Sequence, residues 1–249
     1  MIRVRNLWKR YGGIDVLKGL DLETHDGEIL VILGRSGVGK SVLLRHLIGI
    51  EKPDQGTIEI DGVEITHCKR SEIYHTVRHM GMLFQGSALF DSMTIGENTA
   101  FYLKEHGDPE TGESIPPEII AHRVEEALER VGLEGTSEKM PAQLSGGMKK
   151  RAALARLIVY RPSIRLYDEP TTGLDPITAQ QINELIVQMQ QDLKGTSIVV
   201  THDIHSAMFI ADRLALHRDG RLVHIDEPQA FLNIDDPIIH FLKKTMRPH

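Results

Sequence analysis

EILVILGRSGVGKSVLLRHLIGI, residues 28–50, governs how the rest of the chain is read. A short apolar run ends in glycine, a glycine-rich loop follows, and apolar residues then recur at helical spacing, so the stretch reads strand, loop, helix. Inside it GRSGVGKS, 34–41, fits the pattern G-x-x-x-x-G-K-[ST], which carries meaning only in this setting, after a strand and before a helix. Backbone amides along Gly34, Arg35, Ser36, Gly37, Val38 and Gly39 can turn inward to cradle phosphates, and the helix N-terminus adds partial positive charge. Lys40 is then placed for the β- and γ-phosphates, and the Ser41 hydroxyl for Mg²⁺. A glycine-rich turn with no ligand is the bland alternative, and the flanking strand and helix weigh against it.

Upstream, IRVRNLWKRYG alternates like a half-exposed strand and a second strand follows at 16–22, which predicts an antiparallel hairpin. Downstream, the apolar runs GMLF (81–84), IRLY (164–167) and SIVV (197–200) alternate with helical patterns, the signature of a parallel α/β sheet. Between Gln85 and Arg161 strand signals stop: TIGENTAFYLK, PPEIIAHRVEEALERVG and SGGMKKRAALARLIVY all read as helices, separated at 106–117 by a stretch rich in turn formers. RLALHRDGRLVHID reads as two strands joined through Asp219-Gly220. The expected organisation is a core with its β subdomain at 1–84 and 161–226, a helical subdomain at 85–160, and a tail of two short helices at 227–249.

The bulk numbers fit this reading. A chain of 249 residues, 41% hydrophobic and 26% charged, can bury a sizeable core. A net charge of −6 argues against wholesale capture of nucleic acid. Cys68, the only cysteine, excludes an internal disulfide framework, and with no secretory segment in view the cytosol is favoured. No apolar run approaches the roughly 18 residues of a membrane span, so any membrane role is expected to come through a partner.

IRLYDEP, 164–170, supplies what the phosphate loop lacks. An aspartate ending a buried strand can hold Mg²⁺ through water, which falls to Asp168, and Glu169 beside it can orient or deprotonate an attacking water. Arg165 interrupts the apolar run and is expected to snorkel or to pair with an acid. LSGGM, 144–148, is half a phosphate site: a serine and two glycines suited to close approach, with no lysine at the spacing needed to hold a nucleotide alone. By themselves these residues equally suit a helix cap. His202 and His205 lack a carboxylate or cysteine to complete a metal shell, and the run Lys149, Lys150, Arg151 reads as a solvated helix face.

Together GRSGVGKS, Gln85 after an apolar strand, LSGGM, LYDEP, TTGLDP and His202 after SIVVT resemble the nucleotide-binding subunits of ATP-binding cassette (ABC) proteins over nearly the whole chain. The resemblance implies a P-loop NTPase (RecA-like) parallel-sheet core with an antiparallel β subdomain and an inserted α-helical subdomain. It also implies an ATPase in which two copies pack head to tail, so that Ser145, Gly146 and Gly147 of one close on the ATP held by the other. Tyr11 then stacks on adenine, Gln85 touches Mg²⁺ and water, His202 contacts the γ-phosphate and holds Glu169, and Asp175 couples the two sites. A membrane permease is expected to dock near Gln85–Tyr102. LFQGSALFDSMTIGENTAFYL, the methionine of LSGGM, GLDPITAQQINELI and the DDPIIHFL tail look like the ATPases of Mla- and Mce-type bacterial phospholipid transport systems, which work at the cytoplasmic face of the inner membrane with a permease, an MCE-domain lipid-binding protein and, in some cases, a small accessory protein. TTGLDP is the generic importer form, so an amino-acid or other polar-solute importer stays open, as does a soluble ABC ATPase of the iron-sulfur assembly type.

Overall fold

The computed structural model describes residues 1–109 and 111–246. The strands are β1 (Ile2–Tyr11), β2 (Ile14–Glu23), β3 (Ile29–Leu33), β4 (Gln55–Ile60), β5 (Val63–Glu64), β6 (Met80–Leu83), β7 (Ile164–Asp168), β8 (Thr196–Thr201), β9 (Arg213–Arg218) and β10 (Arg221–Asp226). The helices are α1 (Lys40–Leu47), α2 (Arg70–Val77), α3 (Ile95–His106), α4 (Pro117–Arg130), α5 (Gly146–Ile158), α6 (Pro176–Leu193), α7 (Ile204–Ile210), α8 (Pro228–Phe231) and α9 (Pro237–Thr245).

Among the described residues two sheets form, one ordered β2-β1-β4-β5 and the other β10-β9-β3-β8-β7-β6. In the larger sheet β3 pairs in parallel with β8 and β9, and β7 in parallel with β6 and β8. Strands β3, β7 and β8 are buried along their whole length, which is why they read as unbroken apolar runs. Period two survives underneath. Ile29, Val31 and Leu33 face one apolar cluster with α3 to α7, whereas Leu30 and Ile32 face a second with α1 and the smaller sheet. The carboxyl ends of β3, β8 and β7 lie side by side, and the segments after them carry Gly34, His202 and Glu169, the place where ligands bind on open α/β sheets.

The β1–β2 hairpin and the β9–β10 hairpin form as the alternation and the Asp219-Gly220 pair foretell; Asp219 has φ 50° and Gly220 φ 82°, the left-handed pair of a tight turn. Three elements escape the sequence reading. Strand β4 pairs β1 on the side away from β2, β5 pairs β4, and α2 follows, so the expected hairpin is part of a larger sheet. Arg165 is a correction: it is fully buried, so it does not snorkel, and among the described residues it meets no acid. It donates instead to the carbonyl of Pro162 at 3.0 Å, Gln190 Oε1 at 2.8 Å and Ser197 Oγ at 3.2 Å. The tail holds α8 and α9, pinned by Phe231 and Ile239 in the core and by Asp236, which caps α9 and pairs with Arg218 at 2.6 Å. The last three tail positions, 247–249, and position 110 of the 106–117 segment lie outside the described residues.

Candidate functional site

The phosphate loop turns through two glycines with positive φ, Gly37 at 81° and Gly39 at 105°. A Cβ on Gly39 would sit 2.8 Å from Val16 Cγ1 and 3.2 Å from the Val16 carbonyl, so close packing on β2 demands glycine there as much as the backbone angle does. Lys40 opens α1 with its ammonium folded back over the loop. It donates to the Gly34 carbonyl at 2.7 Å and the Arg35 carbonyl at 3.0 Å, and lies 3.2 Å from Glu169 Oε1. Ser41 donates to Asp168 Oδ1 at 2.8 Å.

Glu169 has φ 48°, and its amide donates to the Val200 carbonyl at 2.9 Å, so its peptide is anchored on β8 while its side chain turns toward Lys40. Thr172 Oγ1 donates to Glu169 Oε2 at 2.9 Å and His202 Nδ1 lies 2.8 Å from the same oxygen. Burial pushes the Glu169 carboxyl up, but the Lys40 charge and the Thr172 hydrogen bond outweigh it and hold the group below its ordinary range. Asp168 moves the other way: burial raises it and the neighbouring Glu169 adds to that against the Ser41 hydrogen bond. At neutral pH Glu169 is therefore an ionised carboxylate clamped by a lysine, a threonine and a histidine.

The residues expected at the other half of the site lie elsewhere in the chain. Ser145 caps α5, accepting from the Met148 amide at 3.3 Å, and leaves the loop exposed. A Cβ on Gly147 would lie 2.6 Å from Thr178 Cγ2 on α6, so this loop packs directly on the helix that Asp175 caps. Asp175 accepts from the amides of Ile177 and Thr178 at 3.1 Å each and from Thr178 Oγ1 at 2.6 Å. Among the described residues no hydrogen bond joins Ser145–Gly147 to Gly34–Ser41. Tyr11 is 39% exposed, with its hydroxyl on Glu51 and the Lys9 ammonium over its ring. The Gln85 side chain is exposed, and the residue is tied down through its carbonyl, which accepts from Lys150.

Lys150 and Thr172 are the residues that sequence reading missed. The charge run 149–151 is not wholly a solvated face: Lys150 is 5% exposed. Its position four before Leu154 and seven before Leu157 puts it on the buried stripe, and that helical phase was the available signal.

Hydroxyl and carboxylate oxygens in contact, Ser41 and Asp168, are the hard donors that suit Mg²⁺, a cation that takes few protein ligands and fills its shell with water and phosphate. Among the described residues no group of three or more His, Cys, Asp or Glu could hold a metal. The arrangement can bind a polyphosphate on loop amides and Lys40, place a divalent cation beside it, and set an ionised carboxylate facing the terminal phosphate.

Known proteins resemble this chain over most of its length. The sequence profile described as "ABC transporter" matches residues 17–172. Over 238 residues the chain is 39% identical to the probable ribonucleotide transport ATP-binding protein mkl of Mycobacterium leprae, covering 96% of this chain and 67% of that protein. Over 244 residues it is 38% identical to the intermembrane phospholipid transport system ATP-binding protein MlaF of Haemophilus influenzae, covering 98% of this chain and 90% of that one. The dimeric, post-hydrolysis ATP-binding cassette MJ0796 with ADP and Pi bound superposes with a TM-score of 0.83 at 30% identity, over 92% of this chain and 99% of that one.

Proposed function

We propose that this chain, which belongs to the ABC transporter family, drives phospholipid transport across a bacterial envelope as the ATP-hydrolysing subunit of a membrane transporter. The observation that carries the choice of lipid is the 38% identity to MlaF across 98% of this chain and 90% of that protein. The relative named for ribonucleotide transport is as similar, at 39%, but matches over only 67% of its length.

In this reading Gly34–Ser41 hold the phosphates of ATP and Tyr11 stacks on the adenine. Lys40 leaves Glu169 for the β- and γ-phosphates. Mg²⁺, when bound by Ser41, Asp168 and Gln85, neutralises charge on the phosphates. Freed from Lys40, Glu169 orients the attacking water and takes its proton, and His202 holds Glu169 through the contact at 2.8 Å while its other ring nitrogen faces the γ-phosphate. Ser145, Gly146 and Gly147 of a second copy complete the site, with the α5 N-terminus aimed at the γ-phosphate and Asp175 at the seam between copies. That the similar cassette MJ0796 is dimeric supports the pairing of two copies.

The permease would dock between the core, 1–84 with 161–226, and the helical subdomain, 85–160. A groove of about 410 Å³ there is lined by Phe84, Ala88, Phe90, Phe101, Tyr102 and Leu157, an apolar floor for a short helix. Asn98, fully buried, fixes its rim: its side-chain amide donates to the carbonyls of Phe90, Met93 and Thr94 and its oxygen accepts from the Phe90 amide. No described helix is long and apolar enough to cross a membrane, so attachment to the cytoplasmic face of the inner membrane would run through that permease, with an MCE-domain protein and a small accessory protein as further partners.

The test is to trap Glu169→Gln with ATP in the native cells, solubilise membranes gently, and identify copurifying proteins and lipids by mass spectrometry. A permease with an MCE-domain protein and phospholipid supports the reading. A solute-binding protein instead would make the chain an importer ATPase, and a wholly soluble complex would overturn the membrane assignment.

A further inference from the structure

Lys150 is a buried cation with an unusual set of partners. Its ammonium donates to the carbonyl of Gln85 and reaches the carbonyl of Glu169 at 3.4 Å, and among the described residues no carboxylate oxygen lies within ion-pair distance of it. A buried ammonium survives only where acceptors replace its water and opposite charge stands near, and the Asp168 and Glu169 carboxylates supply that charge.

The two carbonyls belong to different loops, one leaving β6 and the other leaving β7, while Lys150 rides on α5. A second cation of the same helix holds the same turn: Arg156 donates to the carbonyls of Ser87 at 2.9 Å and Ala88 at 2.6 Å. Ser87 and Ala88 have φ of 65° and 47°, so the 85–88 turn has an uncommon backbone course and is clasped at both ends by α5. The Glu169 main chain is held on both sides, its amide donating to the Val200 carbonyl and its carbonyl accepting from Lys150. Five residues of helix, roughly 7.5 Å, separate Ser145 from Lys150, a distance over which an α-helix moves as a rigid body.

We propose that Lys150 is a positioning residue that ties the Ser145–Gly147 loop to Gln85 and to the main chain of Glu169, so that a nucleotide seated on the α5 N-terminus by the second copy sets the Glu169 carboxylate for attack. Lys150 makes no hydrogen bond with Gly34–Ser41 among the described residues, so its loss acts on turnover and leaves nucleotide binding alone. The inference rests on the roles proposed above for Glu169 and Gln85.

The experiment compares full-length Lys150→Met, Lys150→Arg and Glu169→Gln with the parent chain. It measures kcat for ATP, the Kd for a fluorescent ATP analogue, and amide hydrogen exchange over residues 86–89. Lys150→Met is expected to lose tenfold or more in kcat, to keep Kd within threefold, and to exchange faster at 86–89; Lys150→Arg, which keeps the charge, recovers most of the rate. Lys150→Met turning over within twofold of the parent, or losing rate with exchange at 86–89 unchanged, would overturn the inference. Should Lys150→Met not fold, Lys150→Gln, which keeps a donor, is expected to show a smaller loss in the same pattern, and parental behaviour from it counts against Lys150. Normal turnover by Glu169→Gln would remove the underlying assignment instead, so the two failures are distinct.

Discussion

Replacing Glu169 by glutamine should tighten ATP binding as well as slow hydrolysis. The Lys40 ammonium lies 3.2 Å from Glu169 Oε1, and both side chains are less than a tenth exposed. The lysine needed by the phosphates is therefore already engaged. At an effective dielectric of about 20, two unit charges at that separation attract by roughly 5 kcal/mol before desolvation. Lys40 keeps its bonds to the Gly34 and Arg35 carbonyls, and desolvation offsets much of the attraction, which leaves about 1–3 kcal/mol to be surrendered when phosphate takes the ammonium. Glutamine keeps the shape and the reach of Thr172 but not the charge. At about 1.4 kcal/mol per tenfold, Glu169→Gln is expected to bind ATP roughly 5- to 150-fold more tightly. Loss of repulsion between carboxylate and γ-phosphate acts in the same direction. Equilibrium titration in EDTA, which removes turnover, checks this with AMP as the control, because AMP lacks the β- and γ-phosphates that Lys40 would claim. ATP affinity equal to the parent within twofold, or weaker, would refute the exchange of partners.

Other consequences follow from particular packing. His217, 2% exposed with neither ring nitrogen partnered among the described residues, has its pKa pushed down to about 4 by burial and then by Lys40. Below pH ~6.5 the unfolded chain binds a proton there and the folded chain does not, so stability is lost as pH falls toward 4, by up to about 1.4 kcal/mol per pH unit and roughly 3 in all. His217→Leu should flatten the fall in Tm over that window, and an unchanged slope would absolve His217. Gly81→Ala would place a Cβ 2.1 Å from Leu157 Cδ1 and 2.5 Å from the Tyr160 hydroxyl. Overpacking of about 2 kcal/mol lowers Tm by roughly 4–8 °C for a chain of this size, and a melt within 1 °C of the parent, or above it, would mean that α5 yields freely. Phe90→Asp puts a charge on the groove rim beside Phe101, whose ring centroid is 4.7 Å away, and is expected to abolish copurification with the permease; undiminished recovery would move the docking site.

The parts of this molecule legible in sequence are those whose physics is local. Strand β3, its loop and α1 could be read because a strand buried on both faces is continuously apolar, and because cradling a phosphate constrains glycine, lysine and serine at fixed spacing. Strand β4, QGTIEI, offers only Ile58 and Ile60 as a periodic signal, and the partner that makes it a strand, β1, lies about 50 residues away. Arg165 looked anomalous for the same reason. Its acceptors come from the turn before β7, from α6 and from β8, and a lone charge in an apolar run gives no hint of them. Lys150 was hidden by its company in a basic run, though its helical phase with Leu154 and Leu157 marked the buried face. LSGGM is a different case: within one chain it is a capped helix start, and what it is proposed to close upon belongs to another molecule.

A nucleotide site shared between two copies is tested most directly by mass measurement in solution. Glu169→Gln with saturating ATP and Mg²⁺, weighed by light scattering, is expected to be a dimer holding one ATP per chain, and to revert to a monomer when ATP is left out. Adding Ser145→Arg, which fills the space meant for the partner's γ-phosphate, should leave a monomer that still binds ATP. A monomer from Glu169→Gln under saturating ATP, or a dimer that survives Ser145→Arg undiminished, would contradict the shared site.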